Sequence, residues 1–389
     1  MILSYISLFF LIFDLAIPGL GRLGSAVLSG VISGYWIIVH HRKINLDSSS
    51  ININVLTVSK DLIFVYALFF IVVCLRIFFD SDAEISFFFS SAKSTLILVA
   101  TLLYVKAFLQ KDTGLHILNI FTFNALICFV AGSFPSFLNY IYIFKLGDPE
   151  PGFIPYRNAF LAGSGYYGIG APYAIVFLFS VIYIISSNRY AWTNYIRMML
   201  IAVAGVLAAR TVFVGIIFGA LYALYKKPKV LLIGTLLIGI GFFVLLSFGQ
   251  TSQFSDWIFE IFITDSASVT GSKSTDDLVS MYFIPNLSTI FFGDGKYIAG
   301  DNYYMNTDGG YMRHLLFGGI PITILALAIP LVISKISKSR IFGFFIVPLM
   351  YVLHVKGGFI YNSPSGMPLI ILIAFWMRYF MPTDLRKKN

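Results

Sequence analysis

Runs of about 18–22 apolar residues recur along this chain from its first residues to its last. A run of that length is what an α-helix needs to cross the hydrocarbon core of a bilayer. Hydrophobic residues make up 58% of the 389 positions and charged residues only 12%, about half the charged fraction of an average soluble protein. We therefore exclude a soluble globular fold. We predict an all-α polytopic membrane protein in which residues 1–389 form a single integral membrane domain.

The apolar runs accommodate twelve membrane spans. They lie near residues 2–18, 20–39, 61–79, 85–105, 115–134, 167–187, 192–209, 211–225, 229–248, 310–334, 341–355 and 366–382. Two connections are much longer than a turn, residues 135–166 and residues 249–309. Amphipathic stretches flanking the middle of the second connection predict short helices that lie in the membrane interface.

Lysine and arginine cluster in every second connection, whereas acidic residues cluster in the alternate ones. The basic group consists of Arg42, Lys43, Lys60, Lys106, Lys111, Arg189, Lys226, Lys227, Lys335, Lys338, Arg340, Arg386, Lys387 and Lys388. Because basic connections stay in the cytoplasm, both termini are predicted to be cytoplasmic and the two long connections to face the outside. Orientation in a membrane thus accounts for the net charge of +9, and we expect no nucleic-acid partner.

Arg210 stands between two short apolar runs that share too few residues for two full crossings. Only 28 residues separate Arg197 from Lys226, and a crossing takes about 20. A single crossing would invert the orientation of every later connection, so we predict a short hairpin with Arg210 at a recessed outer tip. We therefore treat Arg210 as a candidate functional residue, because an ionisable side chain at that depth in a membrane is costly and usually has a function.

Several cations are predicted at the outer boundary of the membrane. They are Lys145, Arg157, Arg210, Lys273, Lys296, Arg313 and Lys356. A ring of Arg and Lys suits a lipid pyrophosphate, whose oxygens arginine binds in pairs, and it would stabilise the anion that leaves during glycosyl transfer. The alternative is that these side chains snorkel to the interface or pair with outer acids. We add Tyr156, Tyr311 and Asp301 to the predicted substrate-binding residues.

A glycosyl transfer of this kind also needs a group that accepts a proton from the attacking sugar hydroxyl. The candidates are Asp301, Asp308, His314 and His354. Asp308 directly precedes Gly309 and the tenth span, where it could instead cap the helix, and each histidine could instead be structural. We interpret Asp80 and Asp82 as acidic residues at the membrane edge rather than as a metal-binding DxD motif. The histidines and cysteines also lack the spacing of metal ligands. We therefore expect no metal and no cofactor.

Three segments resemble O-antigen polymerases of the Wzy type. AARTVFVGIIFG around Arg210 resembles their Ser/Gly-Arg-Thr segment, and FFGDGKYIAGDNYY…DGGYMRHLLFGGIP resembles their segment of glycines, Asp and Tyr before a Gly-Gly-Ile. MYVLHVKG, which holds His354, is similar to a late His/Lys segment in several members. The resemblance covers nearly the whole chain and extends to O-antigen ligases and related glycosyltransferases of the GT-C type.

This resemblance implies a GT-C-like fold and a metal-independent, inverting polymerase. Such an enzyme transfers a growing glycan from undecaprenyl pyrophosphate to the non-reducing end of a new lipid-linked repeat unit, at the periplasmic face of the bacterial inner membrane. Arg210 matches the arginine of the Ser/Gly-Arg-Thr segment and would bind the pyrophosphate, with Arg157 and Arg313 beside it. Asp308 stands where ligase-like members have a histidine, so the base stays open among the four candidates.

Two other functions fit the same composition. One is O-antigen ligase, whose acceptor is lipid A-core, and the other is a flippase or transporter of lipid-linked oligosaccharides. We expect a polymerase to work with a separate chain-length regulator of the Wzz type and with a flippase. The large outer connections and the small number of charges inside spans, such as Asp14, Arg76 and Lys93, favour the enzyme.

Overall fold

The computed structural model describes residues 2–17, 19–21, 23–46, 54–133, 161–163, 165–248, 273–299 and 302–382. Its helices are α1 (Ile2–Phe13), α2 (Leu23–Leu46), α3 (Val55–Phe79), α4 (Ile85–Phe108), α5 (Thr113–Ser133), α6 (Tyr166–Ser186), α7 (Trp192–Ala208), α8 (Val212–Lys226), α9 (Pro228–Phe248), α10 (Lys273–Ser280), α11 (Leu287–Phe292), α12 (Gly310–Ser337), α13 (Val347–Lys356) and α14 (Gly366–Phe380). A 3₁₀ turn covers Tyr304–Asn306, and a π-helical segment, Phe342–Ile346, leads into α13. Strands β1 (Ile298–Ala299) and β2 (Asn302–Tyr303) form a minimal antiparallel pair.

Apolar helices lie at all of the predicted spans. Among the described residues, six are long and apolar enough to cross a membrane, namely α2, α3, α4, α5, α6 and α12. The other apolar helices, α1, α7, α8, α9, α13 with its π-helical lead-in, and α14, are shorter. The coarse prediction of an all-α membrane protein is confirmed, whereas twelve full crossings and a GT-C-like arrangement stay predictions.

Two helices form the centre of the bundle. From Ile169 to Ser186 every residue of α6 is buried, and so is α14 from Gly366 to Met377. The surrounding helices direct apolar side chains outward, as Phe64 of α3 and Phe243 of α9 do. Because lipid is as apolar as these side chains, such exposure is what a bilayer-embedded surface requires.

The two ends of the bundle are built from different connections. At one end, which we call the site end, α3 finishes and α4 begins, α6 and α12 begin, and α13 finishes; the Tyr167 hydroxyl there donates to the Leu353 carbonyl. At the opposite end the Trp376 indole nitrogen donates to the Lys111 carbonyl at 2.9 Å. The alternation of the two ends along the chain follows the predicted alternation of acidic and basic connections.

The first helix is shorter than the predicted span of residues 2–18. It ends at Phe13, and Asp14 follows in a left-handed conformation with φ of 48°. The Asp14 side chain is buried, and the Lys93 ammonium of α4 donates to its carboxylate at 2.8 Å. An ionised carboxylate in an apolar interior needs such a partner, and leaving the helix allows Asp14 to reach it.

Helix α12 is interrupted, although the sequence predicted one continuous span over residues 310–334. Gly318 and Gly319 leave helical geometry, and Gly319 has φ of 63°. The carbonyls freed by this break accept hydrogen bonds from the preceding loop, Leu316 from the Asp294 amide at 2.6 Å and Phe317 from the Gly295 amide at 3.1 Å. The break therefore fixes residues 293–295 against the side of the helix.

The predicted hairpin around Arg210 is present. Helices α7 and α8 end and begin on either side of residues 209–211, which leaves Arg210 at the turn. Of the two long connections, only residues 161–163, 165 and 166 of the first are described, together with 273–299 and 302–309 of the second. Helix α11 lies in the second of the two amphipathic stretches expected to form short helices, residues 282–292, whereas the first, residues 256–263, lies outside the described residues. Helix α10 lies in the polar middle of the connection, where no helix was predicted.

Candidate functional site

Arg313, in the first turn of α12, is held between two tyrosine rings. Its guanidinium carbon lies 4.2 Å from the ring centre of Tyr297 and 3.7 Å from that of Tyr303. The β1–β2 pair sets Ile298 opposite Tyr303 and so brings both tyrosines to one place. Stacking of this kind attracts the cation to the ring faces and fixes the plane of the guanidinium. We call Arg313, Tyr297 and Tyr303 the arginine clamp.

The clamped arginine is incompletely paired. Its Nη1 lies 3.7 Å from Oδ1 of Asp308, beyond ordinary hydrogen-bonding distance. Its Nε is buried and has no hydrogen-bond partner among the described residues. The side chain is 11% exposed. A positively charged group with an unused N–H donor in a largely desolvated position can bind an anionic oxygen strongly.

Asp308 lies directly before α12 and is partly open, with 42% of its side chain exposed. Burial raises the pKa of the Asp308 carboxyl, while the positive charges of Arg313 and Lys356 oppose that shift. The helix cap is Gly309, whose amide donates to the Thr307 hydroxyl oxygen at 3.3 Å, and no side chain forms a cap hydrogen bond. The alternative that Asp308 caps the helix is therefore wrong. A carboxylate with a raised pKa beside two cations can act as a proton acceptor.

Tyrosines surround this carboxylate and hold the helix ends together. The Tyr282 hydroxyl donates to the Val355 carbonyl at 2.5 Å, and the Tyr311 hydroxyl donates to the Tyr351 carbonyl at 2.9 Å. Tyr167, at the start of α6, packs against the residue that follows α13: a Cβ on Gly357 would lie 2.6 Å from its ring. Lys356 ends α13 at the same place. Tyr311 thus lies in the site, with its hydroxyl engaged with the backbone.

The loop that carries β1 is tied to the connection between α3 and α4. The Glu84 carboxylate accepts the Tyr297 amide at 2.9 Å and the Ile298 amide at 2.5 Å. The Arg76 guanidinium bonds to the Asp80 carboxylate at 2.8 Å and donates to the Gly293 carbonyl at 3.0 Å. Asp80, which the sequence placed at the membrane edge, and Arg76, which it placed inside a span, therefore hold the start of the loop that carries the clamp.

The two predicted histidines are deeply buried. His314 is 2% exposed and His354 is 0% exposed, with their ring centres 5.1 Å apart. His314 lies edge-on to Phe69 and Phe87, which is typical of a structural histidine. His354 accepts two backbone N–H groups through Nδ1. That ring nitrogen has no free lone pair for a substrate proton, and Nε2 is buried without a hydrogen-bond partner among the described residues. This geometry favours the structural alternative for His354 over the catalytic one.

Arg210 lies at the site end but is positioned by a different set of contacts. Its neighbour Ala209 packs on Gly170 of α6, where an added methyl on Gly170 would lie 2.4 Å from the Ala209 Cβ. Gly170 is one helical turn from Tyr167, whose hydroxyl bonds to α13 beside Asp308. Arg210 and the arginine clamp are therefore presented at the same end of the bundle. Tyr156, Arg157 and Asp301 lie outside the described residues.

Sequence reasoning missed the two tyrosines of the clamp and the asparagine behind it. Tyr297 and Tyr303 belong to the motif that carries the family resemblance, but they show no helical or strand periodicity. Asn362 lies near the Tyr297 hydroxyl, and its Oδ1 accepts a hydrogen bond from the Ser94 hydroxyl at 3.1 Å. The available signal was the density of tyrosines around a single arginine, which is typical of cation stacking.

Comparison of the chain with protein-family models, with curated proteins and with solved structures found no match.

Proposed function

We propose that this protein is an O-antigen polymerase-type glycosyltransferase that joins lipid-linked repeat units at the outer face of the bacterial inner membrane. The observation that carries the proposal is the arginine clamp, with Asp308 beside it and Arg210 at the same end of an apolar helical bundle. The proposal includes twelve crossings, a GT-C-like fold and cytoplasmic termini, so that the site end faces the periplasm.

The proposed chemistry assigns one role to each charged group. Asp308 accepts the proton of the acceptor sugar hydroxyl, whose oxygen forms a bond to the anomeric carbon of the donor glycan. The bond between that carbon and the undecaprenyl pyrophosphate oxygen breaks, and the electron pair leaves with the pyrophosphate. Arg313 and Lys356 stabilise the negative charge that develops there, and Arg210 binds the pyrophosphate. Cations that bind this charge more tightly in the transition state than in the substrate accelerate the transfer.

The same charged residues are compatible with two alternative functions. An O-antigen ligase would use similar cations but a lipid A-core acceptor, and a flippase would move the lipid-linked oligosaccharide without cleaving it. The pairing of a carboxylate of raised pKa with a clamped arginine favours bond-forming chemistry over transport.

The function is tested in cells that lack their own polymerase and therefore carry lipopolysaccharide with a single repeat unit. Expression of this protein is expected to restore a ladder of chain lengths. Persistence of single-unit lipopolysaccharide, despite normal amounts of the protein in the membrane, contradicts the polymerase. Loss of even the single unit after deletion from its native host points instead to a ligase or flippase.

The clamp is tested with purified protein and synthetic lipid-linked repeat units. Arg313→Lys keeps the charge but loses the planar stacking and paired donors, so we expect transfer to fall at least about tenfold. Tyr303→Phe keeps the ring face and is expected to retain most of the rate. Arg378→Lys, at the opposite end of the bundle, is the matched control. Equal rates for Arg313→Lys and wild type would remove the clamp from the mechanism.

Arg210→Ala is expected to abolish the ladder while the protein remains in the membrane, because the pyrophosphate would lose a cation. A ladder of wild-type intensity from this variant would remove Arg210 from phosphate binding.

A further inference from the structure

His354 is a buried histidine whose ring meets three structural elements. It lies in the last turn of α13, and its Nδ1 lies 3.1 Å from both the Phe359 amide nitrogen and the Ile360 amide nitrogen. Helix α12 begins against the same edge of the ring. A Cβ on Gly310 would lie 2.5 Å from the His354 Nδ1 and from the Gly357 carbonyl oxygen.

The direction of these hydrogen bonds determines where the imidazole carries its proton. Two backbone N–H groups point at Nδ1, and a proton on that nitrogen would face both of them. The neutral ring therefore carries its proton on Nε2 and uses Nδ1 as an acceptor. The Phe359 amide also has the Gly357 carbonyl as acceptor at 2.7 Å, so the Ile360 amide depends most on His354.

The backbone held in this way leads directly to the arginine clamp. A Cβ on Gly358 would lie 3.6 Å from the Arg313 Nη1, so this part of the loop forms a wall beside the guanidinium. Four residues later Asn362 lies near the hydroxyl of Tyr297, one of the two clamping rings, and its Nδ2 is buried without a hydrogen-bond partner among the described residues. The path from His354 to the clamp thus runs through a few residues of backbone and the close approach of Gly358 to Arg313.

Side-chain packing and the bonds to His354 together hold this loop in its conformation. Phe359, Ile360 and Tyr361 are buried, and the Tyr361 ring stacks on Phe69 with ring centres 3.7 Å apart. Tyr361, between Ile360 and Asn362, has φ of 71°, a conformation that is unfavourable for a residue with a side chain. Such a backbone persists only where surrounding contacts over-determine it. The two bonds to His354 Nδ1 are contacts of that kind.

We propose that His354 is a positioning residue that fixes the loop Gly357–Asn362 through its Nδ1 and so sets the arginine clamp for phosphate binding. The effect on transfer rests on the proposed function, whereas the effect on the loop does not. In this role His354 neither accepts a proton from the substrate nor donates a hydrogen bond to it.

Asparagine and glutamine substitutions distinguish the two ring nitrogens. In His354→Asn the amide oxygen occupies the place of Nδ1. In His354→Gln the terminal amide reaches the place of Nε2, which leaves the Ile360 N–H without its acceptor and the Phe359 N–H with the Gly357 carbonyl alone. Each variant is assayed for transfer with synthetic lipid-linked repeat units and for its thermal unfolding midpoint in detergent. His116 is a second buried histidine, at the opposite end of the bundle, and the same two substitutions there are the matched controls.

We expect His354→Asn to transfer at a rate within about threefold of wild type and His354→Gln to be reduced by at least about tenfold, since unsatisfied buried N–H groups are costly. The unfolding midpoint should fall in the same order. The reverse order, with glutamine active and asparagine inactive, would overturn the proposal in favour of a donor role for Nε2. Loss of transfer in both variants with wild-type unfolding midpoints would overturn it in favour of a base.

The midpoints also separate this inference from the proposed function. If wild-type protein forms no polymer, the proposed function fails. An unfolding midpoint that falls in His354→Gln and not in His354→Asn would still support the anchoring of the loop. If wild-type protein forms polymer and the midpoints of both variants match it, the positioning role fails alone.

Discussion

At the scale of single residues, the site depends on one arginine, Arg313, whose guanidinium is held in place between two tyrosine rings. Arg313 was predictable as an outer cation because it begins an apolar run. Its clamp was not, because Tyr297 and Tyr303 approach it through a two-residue strand pair that leaves no periodic signal in the sequence. Chemistry-bearing residues were thus easier to find than the contacts that orient them.

The raised pKa of Asp308 gives a pH prediction. The deprotonated carboxylate is the proton acceptor, so transfer should fall as pH drops through its pKa. Lys356 lowers that pKa, so Lys356→Met should raise it and move the acid limb of the rate profile to higher pH. The profile of the purified protein with synthetic repeat units measures this shift.

Lys335→Met is the control for that experiment, because Lys335 is an exposed lysine at the other end of α12. Its acid limb should coincide with that of wild type. If the acid limb of the pH–rate profile of Lys356→Met stays in place or moves to lower pH, Asp308 is not the titrating group.

At the scale of elements, the interruption of α12 determines how the outer loop is held. The span itself was predictable from its hydrophobicity, but the break was not, because Gly–Gly pairs also occur inside continuous membrane helices. Local hydrogen bonds from residues 294 and 295 replace the missing helical ones. The loop that carries the clamp is therefore built onto the helix rather than resting on its surface.

Gly319→Ala should destabilise this junction. Gly319 has φ of 63°, and an added Cβ would lie 2.5 Å from the Phe291 carbonyl oxygen. We expect a loss of about 1–3 kcal/mol in the free energy of unfolding, seen as a lower unfolding midpoint in detergent. In Gly239→Ala, within α9, the added methyl meets nothing within 4 Å, so stability should stay level or rise by up to about 1 kcal/mol. Equal effects of the two substitutions would mean that the break is not required for stability.

At the scale of the whole molecule, hydrophobic run length and charge alternation predicted the helices and the order of their ends. The lateral arrangement was beyond such reasoning, because α6 and α14 differ little in composition from the helices at the surface of the bundle. Among the helices of the described part of the chain, they alone are buried nearly throughout. In lipid, packing between helices depends on shape rather than on hydrophobicity. The sequence therefore yields the elements and their directions, and tertiary contacts decide which of them become central.

Orientation in the membrane gives a further prediction. In a variant whose native thiols Cys74 and Cys128 are replaced by alanine, Ala299→Cys at the site end should react with a membrane-impermeant thiol reagent in intact cells. Lys227→Cys, in the connection between α8 and α9, should react only after the membrane is permeabilised. Both positions are exposed in the structure. The opposite labelling pattern would place the site in the cytoplasm and exclude the proposed use of outward-facing substrates.

The ion pair between Asp14 and Lys93 has a consequence for how the protein is made. The partners are separated by 79 residues, and at about 5–20 residues per second the ribosome needs roughly 4–16 seconds to supply the second after the first. An unneutralised carboxylate in the bilayer costs about 2.5–3.5 kcal/mol at the centre of a helix. We therefore expect the first helix to reach its final depth only when the fourth has been inserted, after segments that were synthesised later.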